Sequence, residues 1–325
     1  MTQQKHLKAV IRARMARTGE SYTAARANVV KTELTPSLEA RAIFRAHDRH
    51  CMTAVFTPDD RHIVTGGFGG QARIWTVAGE PAGELVGHES SVNVVCISAD
   101  GSLAVTASSD KTVRAWDLGT RTERGVLGTH RRQVLGLALD DVRGIAWSGG
   151  HDGRLQALSV HNGDGALTID VGFSVTSVAV RREDGVIAAG TVGGGISIRG
   201  SDGTEVTHLA RDRDVTTAVT WSTDGSFLLA SSPGAATVWA TDEWEEVRSL
   251  PSGGGGMLPI ALSPDGRRVA IGWDNHLALW GPDEDTPSAT IDGLPKGVYG
   301  LAFSHDGRLL AMTAADGRVR TYAVS

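Results

Sequence analysis

Histidines are the side chains of this sequence best suited to metal or acid–base chemistry, because imidazole binds zinc and titrates near neutral pH. The 325 residues include 11 histidines, and His47, His88 and His130 each stand a few residues before an apolar run. His151 precedes Asp152 in a stretch typical of a turn. Zinc ligands must converge on one point, and no spacing among these histidines indicates that they do. We therefore predict no metal site.

Motifs for other enzyme chemistry are also missing from the sequence. It contains no GxSxG, HExxH or P-loop and no dinucleotide fingerprint after a strand. The run Gly193-Gly194-Gly195 lies where a hairpin turn is predicted, whereas a phosphate-binding loop would need a helix after it. We predict no catalytic residue and no cofactor, and we expect that the protein is not an enzyme.

The composition indicates many short strands joined by tight turns. Glycine accounts for 41 of the 325 residues, nearly twice its usual share of about 7%. Asp-Gly pairs suit tight hairpins because both residues tolerate positive φ. Five such pairs separate apolar runs: Asp100-Gly101, Asp184-Gly185, Asp224-Gly225, Asp265-Gly266 and Asp306-Gly307. These acids are therefore interpreted as turn formers.

The two cysteines and the apolar runs bear on where the protein is found. Cys51 and Cys96 each lie inside an apolar run, which predicts two buried free thiols. No apolar run is long enough to span a membrane, and the N-terminal residues are charged where a signal peptide would be apolar. We expect a cytoplasmic protein with no membrane contact.

Charge is distributed unevenly along the chain. The net charge is −5, but residues 1–31 carry seven Lys and Arg against the single acid Glu20, so the remaining residues carry −11. A basic segment joined to an acidic body argues against broad nucleic-acid binding by the body. Nucleic acid is therefore an unlikely partner except through residues 1–31.

A repeat of about 41 residues organises the chain from residue 38 onward. Each unit contains an apolar strand, a turn, a second strand ending in small residues, another turn, and a third strand ending in a large residue. The intervals between the seven third-strand anchors are 41, 42, 41, 40, 41 and 42 residues. A period of ~40–45 residues with four strands per unit predicts a β-propeller. The anchors are Trp75, Trp116, Leu158, Arg199, Trp239, Trp280 and Tyr322.

The second unit resembles the WD40 repeat family. It carries Gly87-His88 before the first strand, Asp110 in the second turn and Trp116-Asp117 at the end of the third strand. The resemblance implies a structural hydrogen-bonded set, assigned by position to His88, Ser108, Asp110 and Trp116. His47, His130, Asp152, Asp274 and Asp316 retain parts of the pattern, while the third and fourth units lose the tryptophan. The resemblance implies an all-β, seven-bladed propeller of four-stranded antiparallel blades over residues 38–325.

Closure of the ring is predicted from the two ends of the repeat region. The chain ends three residues after Tyr322, so the last unit lacks a fourth strand. Residues 38–45 include an unassigned apolar stretch, and in WD40 propellers an N-terminal strand completes the last blade. We therefore expect residues 38–45 to pair with residues 318–324, which would remove two exposed strand edges.

Residues 1–34 form a separate basic extension. Leu7, Val10, Ile11 and Met15 have helical spacing, and Gly19 and Ser21 are suitable caps, which predicts two short helices over residues 4–30. The segment ARMARTGESYTAAR is similar to segments of assorted bacterial proteins and favours a bacterial origin. Three roles stay open: packing on the acidic body, docking or assembly with a partner, and contact with nucleic acid such as RNA or the ribosome.

The leading functional hypothesis is a non-enzymatic scaffold, with a monomeric propeller, that binds a protein or peptide. Propeller partners of this family mostly dock on the face with the loops leading into each blade and the turns between second and third strands. Aromatic and Arg side chains favour an interface there. The alternative is an enzyme or small-molecule site at the central channel. The candidate binding residues are Phe68, Trp273, Phe173, Arg49, Arg131, Arg132, Arg211 and Arg213.

Overall fold

Short apolar runs bounded by glycine and Asp-Gly turns form 28 strands in the described part of the chain. The computed structural model describes residue 21 and residues 38–324, apart from 162–164, 194, 211–214, 255, 282–283, 285 and 296. The strands form seven separate antiparallel sheets of four strands each. This confirms the predicted seven-bladed propeller. The described residues contain no helix, and the predicted helices fall in residues that lie outside this description.

The first strand of the chain is the outermost strand of the last blade. It is β1 (Leu38–Arg45). Blade 1 contains β2 (Cys51–Phe56), β3 (His62–Gly67), β4 (Gln71–Thr76) and β5 (Pro81–Val86). Blade 2 contains β6 (Val92–Ile97), β7 (Leu103–Ser108), β8 (Thr112–Asp117) and β9 (Thr122–Thr129). Blade 3 contains β10 (Val134–Asp140), β11 (Ile145–Gly150), β12 (Arg154–Ser159) and β13 (Gly165–Asp170).

The remaining blades follow the same order from the innermost to the outermost strand. Blade 4 contains β14 (Val175–Val180), β15 (Ile187–Thr191), β16 (Ile196–Arg199) and β17 (Glu205–Leu209). Blade 5 contains β18 (Ala218–Trp221), β19 (Phe227–Ser232), β20 (Ala235–Ala240) and β21 (Glu245–Pro251). Blade 6 contains β22 (Ile260–Leu262), β23 (Val269–Trp273), β24 (His276–Trp280) and β25 (Ala289–Ile291). Blade 7 contains β26 (Val298–Phe303), β27 (Leu309–Ala314), β28 (Arg318–Val324) and β1.

The core is divided among the seams between blades. Seven hydrophobic clusters each join two consecutive blades, including the pair formed by blades 7 and 1. The second strand of a blade is packed on both sides, so every residue of β7, for example, is buried. Strands buried on both sides need small and apolar residues throughout, which explains why alternation is weak in the sequence. All seven predicted anchors lie in third strands.

The ring is closed by strand pairing and by backbone contacts at the seam between blades 7 and 1. Leu38 pairs with Val324 and Arg45 with Arg318, as predicted. At one end, the Gly317 carbonyl accepts hydrogen bonds from the amides of Ala46 and His47, both 2.9 Å. Gly317 has φ 73°, and a Cβ there would collide with the carbonyl oxygen of His47. Glycine is therefore required where blade 1 meets the turn of blade 7.

Candidate partner-binding face

Two faces of the ring are distinguished by their loops. The upper face carries the loops that lead into the innermost strands and the turns between second and third strands. The lower face carries the turns between first and second strands and the loops between third and fourth strands. Every predicted binding residue that the structure describes belongs to a loop or strand end of the upper face.

A β-bulge marks the upper end of the innermost strand in five blades. An extra residue in a bulge turns its side chain out of the regular register. Asn93 uses this freedom to donate from Nδ2 to the Val134 carbonyl of the next blade, at 2.8 Å. Thr176 likewise donates to the Thr216 carbonyl of the next blade. These bridges link blade 2 to blade 3 and blade 4 to blade 5 at the upper face. The bulged residues are Met52, Asn93, Leu135, Thr176 and Tyr299.

Three aromatic rings form a cluster at the seam between blades 7 and 1. Phe68, in the turn after β3, is 42% exposed. Its ring centroid lies 5.0 Å from that of His50, and His50 stacks on Tyr299 with centroids 5.3 Å apart. The Phe68 amide also donates to the His50 carbonyl at 3.1 Å. Phe68 is therefore presented on a fixed support of two half-buried rings, a suitable anchor for a partner.

Sequence reasoning found Phe68 but missed the other two members of this cluster. His50 and Tyr299 are 249 positions apart and meet only because the ring closes between them. Tyr299 occupies the second position of its innermost strand, equivalent to Met52 and Asn93. The unusual size of the side chain at that repeat position was the available signal.

Phe173 and Val192 form a second exposed apolar pair on blade 4. Their exposed fractions are 48% and 38%. The Val192 amide donates to the Ser174 carbonyl at 2.9 Å, which fixes the turn against the loop that carries Phe173. The backbone of Phe173 lies against the turn of blade 3 at Gly153. Phe173 thus presents a half-exposed aromatic side chain on this face.

Trp273 is not displayed in the way the sequence suggested. It is the last residue of β23, and it is half-buried against the cluster between blades 5 and 6. Its ring stacks on His276 with centroids 5.5 Å apart, and a side chain at Gly254 would come within 2.9 Å of the Trp273 Cβ. The glycine run thus covers this tryptophan, and local packing accounts for it.

Three of the five predicted Arg residues lie in the described part of the chain. Arg49, Arg131 and Arg132 are exposed. None of them forms an ion pair within the part of the chain that the structure describes. Arg211 and Arg213 lie outside the described residues. Three exposed guanidinium groups on the upper face, without an ion pair among the described residues, are suited to carboxylates of a partner.

The hydrogen-bonded set of blade 2 contains Thr106 where Ser108 was predicted. His88 Nε2 and Trp116 Nε1 each lie 2.7 Å from Thr106 Oγ1, and His88 Nδ1 lies 2.7 Å from Asp110 Oδ2. The Ser108 prediction is therefore wrong. Thr106 and Ser108 lie on the same side of β7, and the imidazole of His88 reaches past Ser108 to Thr106. Ser108 instead accepts from the Asp110 amide at 3.0 Å.

One assignment of protons satisfies the whole set. His88 donates Nδ1–H to Asp110, Thr106 donates its hydroxyl to His88 Nε2, and the Trp116 indole donates to Thr106. Burial lowers the pKa of His88, which keeps the ring neutral as this assignment requires. Burial raises the pKa of Asp110, but hydrogen bonds from Thr112 and His88 outweigh it and lower the pKa to about 2. The set thus has a structural role: it holds the loop of His88 and the turn of Asp110 against the sheet.

The same arrangement recurs at 18-residue spacing in two other blades. His47 Nε2 lies 3.0 Å from Thr65 Oγ1, and the Trp75 indole donates to that hydroxyl at 3.1 Å. His130 bridges Ser148 and Asp152 at 2.9 and 3.0 Å. His88 and His130 therefore tie the turn aspartate of their blade to its second strand, whereas Nδ1 of His47 has no hydrogen-bond partner among the described residues.

Comparison with known proteins agrees with these features. The WD40 profile, "WD domain, G-beta repeat", matches residues 39–76, 79–117 and 285–322. The chain thus carries WD40 repeats in three places and folds as a seven-bladed β-propeller. Each matched repeat begins with the outer strand of one blade and ends with the third strand of the next, so the WD40 repeat and the blade are offset by one strand. That offset is the reason why β1 completes blade 7.

Several WD-repeat proteins resemble this WD40 propeller. THO complex subunit 3 of Arabidopsis thaliana is 24% identical over 292 residues, which is 86% of this chain and 78% of that protein. WD repeat-containing protein 1 of Xenopus tropicalis is 27% identical over 42% of this chain and 27% of its own length. WD repeat- and FYVE domain-containing protein 4 of Mus musculus is 33% identical over 31% of this chain. The chain spans less than a third of each of the last two proteins.

The charged groups of this WD40 propeller serve its turns. Hydrogen bonds from Ser98 and Ser102 lower the pKa of Asp100 to about 2, as expected for a turn-forming carboxylate.

No three His, Cys, Asp or Glu residues among those described are placed to hold a metal ion. No described helix is long and apolar enough to cross a membrane. Clefts of about 490 Å³ lie between blades 1 and 2 and between blades 5 and 6.

Proposed function

We propose that this WD40 propeller is a non-enzymatic scaffold that binds a protein or peptide on its upper face. The observation that carries the proposal is the cluster at the seam of blades 7 and 1, in which Phe68 packs on His50, His50 stacks on Tyr299, and the Phe68 amide donates to the His50 carbonyl. A rigid surface loses little conformational entropy on binding, so an exposed ring there contributes most of its burial to affinity.

The chemistry of this face favours a peptide with an apolar anchor and acidic neighbours. Phe68 and Phe173 would bury the apolar groups, and Arg49, Arg131 and Arg132 would pair with carboxylates. THO complex subunit 3, by its name, is a subunit of a complex, and that supports an assembly role for this chain. We infer further that the propeller itself is monomeric and cytoplasmic.

A pair of exposed phenylalanines allows a matched test. Phe68 is 42% exposed on the upper face, and Phe227 is 43% exposed on the lower face. Tagged full-length wild type, Phe68→Ser, Phe173→Ser and Phe227→Ser would be incubated with lysate of the source organism, and bound proteins quantified by mass spectrometry. We expect at least one partner whose recovery falls about tenfold in the two upper-face variants, since a buried aromatic anchor contributes ~2 kcal/mol or more.

The same experiment can contradict the proposal in two ways. Loss of partners only in Phe227→Ser would assign binding to the lower face. Equal recovery in all four samples would exclude Phe68 and Phe173 as anchors. Thermal unfolding of each variant checks that an altered recovery reflects the surface and not the fold.

A further inference from the structure

We propose that the basic segment of residues 1–31 docks on the lower face of its own propeller, in an apolar groove between blades 5 and 6. The inference concerns the face opposite the proposed partner site. It rests on the distribution of charge, on the groove itself, on its rim and on the point where the segment joins the ring.

The two faces differ in charge although their loops are built from the same repeat. Among the described residues, loops of the lower face contain 14 acidic and 8 basic residues, so their net charge is −6. Described loop residues of the upper face include 7 acidic and 4 basic ones, a net charge of −3. Asp110, Asp152 and Asp316 of the upper face are already engaged by His88, His130 and Arg320. In the described loops the lower face therefore carries twice the net negative charge of the upper face.

The groove between blades 5 and 6 is mainly apolar and has a volume of about 490 Å³. Its lining includes Leu229, Val238, Leu262 and Val269 together with Phe227 and Val247. Phe227 and Val247 are 43% and 52% exposed. Exposed apolar side chains beside a groove are typical of a surface that another element covers.

Unpaired carboxylates stand beside this groove. Asp242, Glu243, Glu245 and Glu246 lie in or next to β21, all exposed, and none is in an ion pair with another described residue. The Arg248 guanidinium in the groove already donates to the carbonyl oxygens of Gly281, at 3.0 Å, and Glu284. The groove thus combines an apolar floor with an acidic rim.

Arg267 also lines the groove, and neither it nor its neighbour Arg268 forms an ion pair with another described residue. Arg267 stands two residues from Asp265, whose carboxylate accepts the Arg267 amide at 3.1 Å. This acid offsets the cation locally, so the rim stays acidic overall.

Residues 1–31 have the complementary pattern. Leu7, Val10, Ile11 and Met15 have the spacing of one face of the predicted helix, and the segment carries seven cations against one acid. An amphipathic basic helix fits an apolar groove with an acidic rim. The opposite charges of segment and rim favour this occupant over a free acidic partner.

The attachment point of the segment makes this site reachable. Leu38 pairs with Val324 at the lower end of β28, and β1 is the outer strand of blade 7, next to blade 6. The 22 residues between Met15 and Leu38 have a root-mean-square span of ~25 Å as a flexible chain and ~70 Å when extended. Crossing blade 6 requires about two sheet spacings, or ~20 Å.

Cross-linking in the full chain tests the proposal. The double variant Ile11→Cys/Val247→Cys would be treated with a short bis-maleimide, and Ile11→Cys/Val206→Cys would be the matched control. Val206 lies on the outer strand of blade 4 and is 51% exposed, against 52% for Val247. We expect intramolecular cross-linking to be at least about tenfold faster for position 247 than for position 206, because docking raises the effective concentration there.

Charge swaps separate docking from chance encounter. Glu245→Lys/Glu246→Lys should reduce the rate at position 247 at least threefold, and adding Arg12→Glu/Arg14→Glu should restore it. Sodium chloride at 1 M, where the screening length is ~3 Å, should also slow the reaction. Equal rates at positions 206 and 247, or products of dimer size only, would overturn the proposal. Phe68→Ser should leave these rates unchanged, so the result is independent of partner binding on the upper face.

Discussion

Replacing Thr106 with valine should lower the free energy of unfolding by about 2–4 kcal/mol. The hydroxyl of Thr106 is fully buried and is bonded to both His88 Nε2 and Trp116 Nε1, each at 2.7 Å. Valine has nearly the same shape, so the change removes these two bonds and little packing. Each buried polar atom left without a partner costs ~1–3 kcal/mol, and two are created, the indole N–H and the imidazole nitrogen.

Thr313 provides the control for this prediction. It is also fully buried, in β27 of blade 7, and its hydroxyl has no hydrogen-bond partner among the described residues. Valine at position 313 removes an unsatisfied polar atom, so it should leave stability unchanged or raise it by up to ~1 kcal/mol. Urea unfolding of wild type, Thr106→Val and Thr313→Val, followed by circular dichroism at constant pH, measures both effects.

A difference of less than about 0.5 kcal/mol between the two valine variants would refute the reasoning. It would mean that Trp116 and His88 find other partners when the hydroxyl is removed. A larger loss of stability in Thr313→Val than in Thr106→Val would show that side-chain volume, and not hydrogen bonding, determines which substitutions the second strands accept.

Two further predictions concern buried titratable groups. Burial, assisted by Arg73, lowers the pKa of His47 from 6.5 to about 4. The neutral His47 ring therefore favours the folded state above pH 6.5, and its contribution of roughly 3 kcal/mol is lost as the pH falls towards 4. His47→Gln should flatten the dependence of the unfolding free energy on pH in this range. An unchanged slope of that dependence would contradict the prediction. Burial raises the pKa of the Cys51 thiol, and that of Cys96 to about 12. Both thiols should therefore resist a maleimide or disulfide reagent at pH 8 in the native protein and react in denaturant, and stoichiometric labelling of the native state would be the contrary result.

The hydrogen-bonded set of blade 2 shows how far spacing alone can be taken. The sequence correctly indicated a histidine, a turn aspartate and a tryptophan, because their order within the repeat is regular. It could not choose between Thr106 and Ser108, since both face the same side of β7 and both carry a hydroxyl. The depth that the His88 ring reaches is determined by the packing of the upper loop against the sheet, and this is a tertiary property.

The candidate binding face also combines side chains that the sequence could indicate with contacts that only the fold determines. Phe68 and Phe173 were predictable because a large apolar residue in a turn is unusual whatever the neighbours are. Trp273 met the same criterion and yet is half-buried, because Gly253 and Gly254 pack against it. The partners of Phe68 come from a second loop and from the last blade, and their approach depends on ring closure.

The repeat period, the glycine and Asp-Gly turns and the missing fourth strand of the last unit were sufficient to determine the number of blades and the clasp between residues 38–45 and 318–324. These features are local or periodic, so each unit reports its own strands. The tertiary structure alone decided which side chains meet across seams and how charge divides between the faces. Loops that are 41 residues apart in the chain lie side by side in the ring, and one-dimensional spacing does not record which of their side chains are covered and which stay exposed.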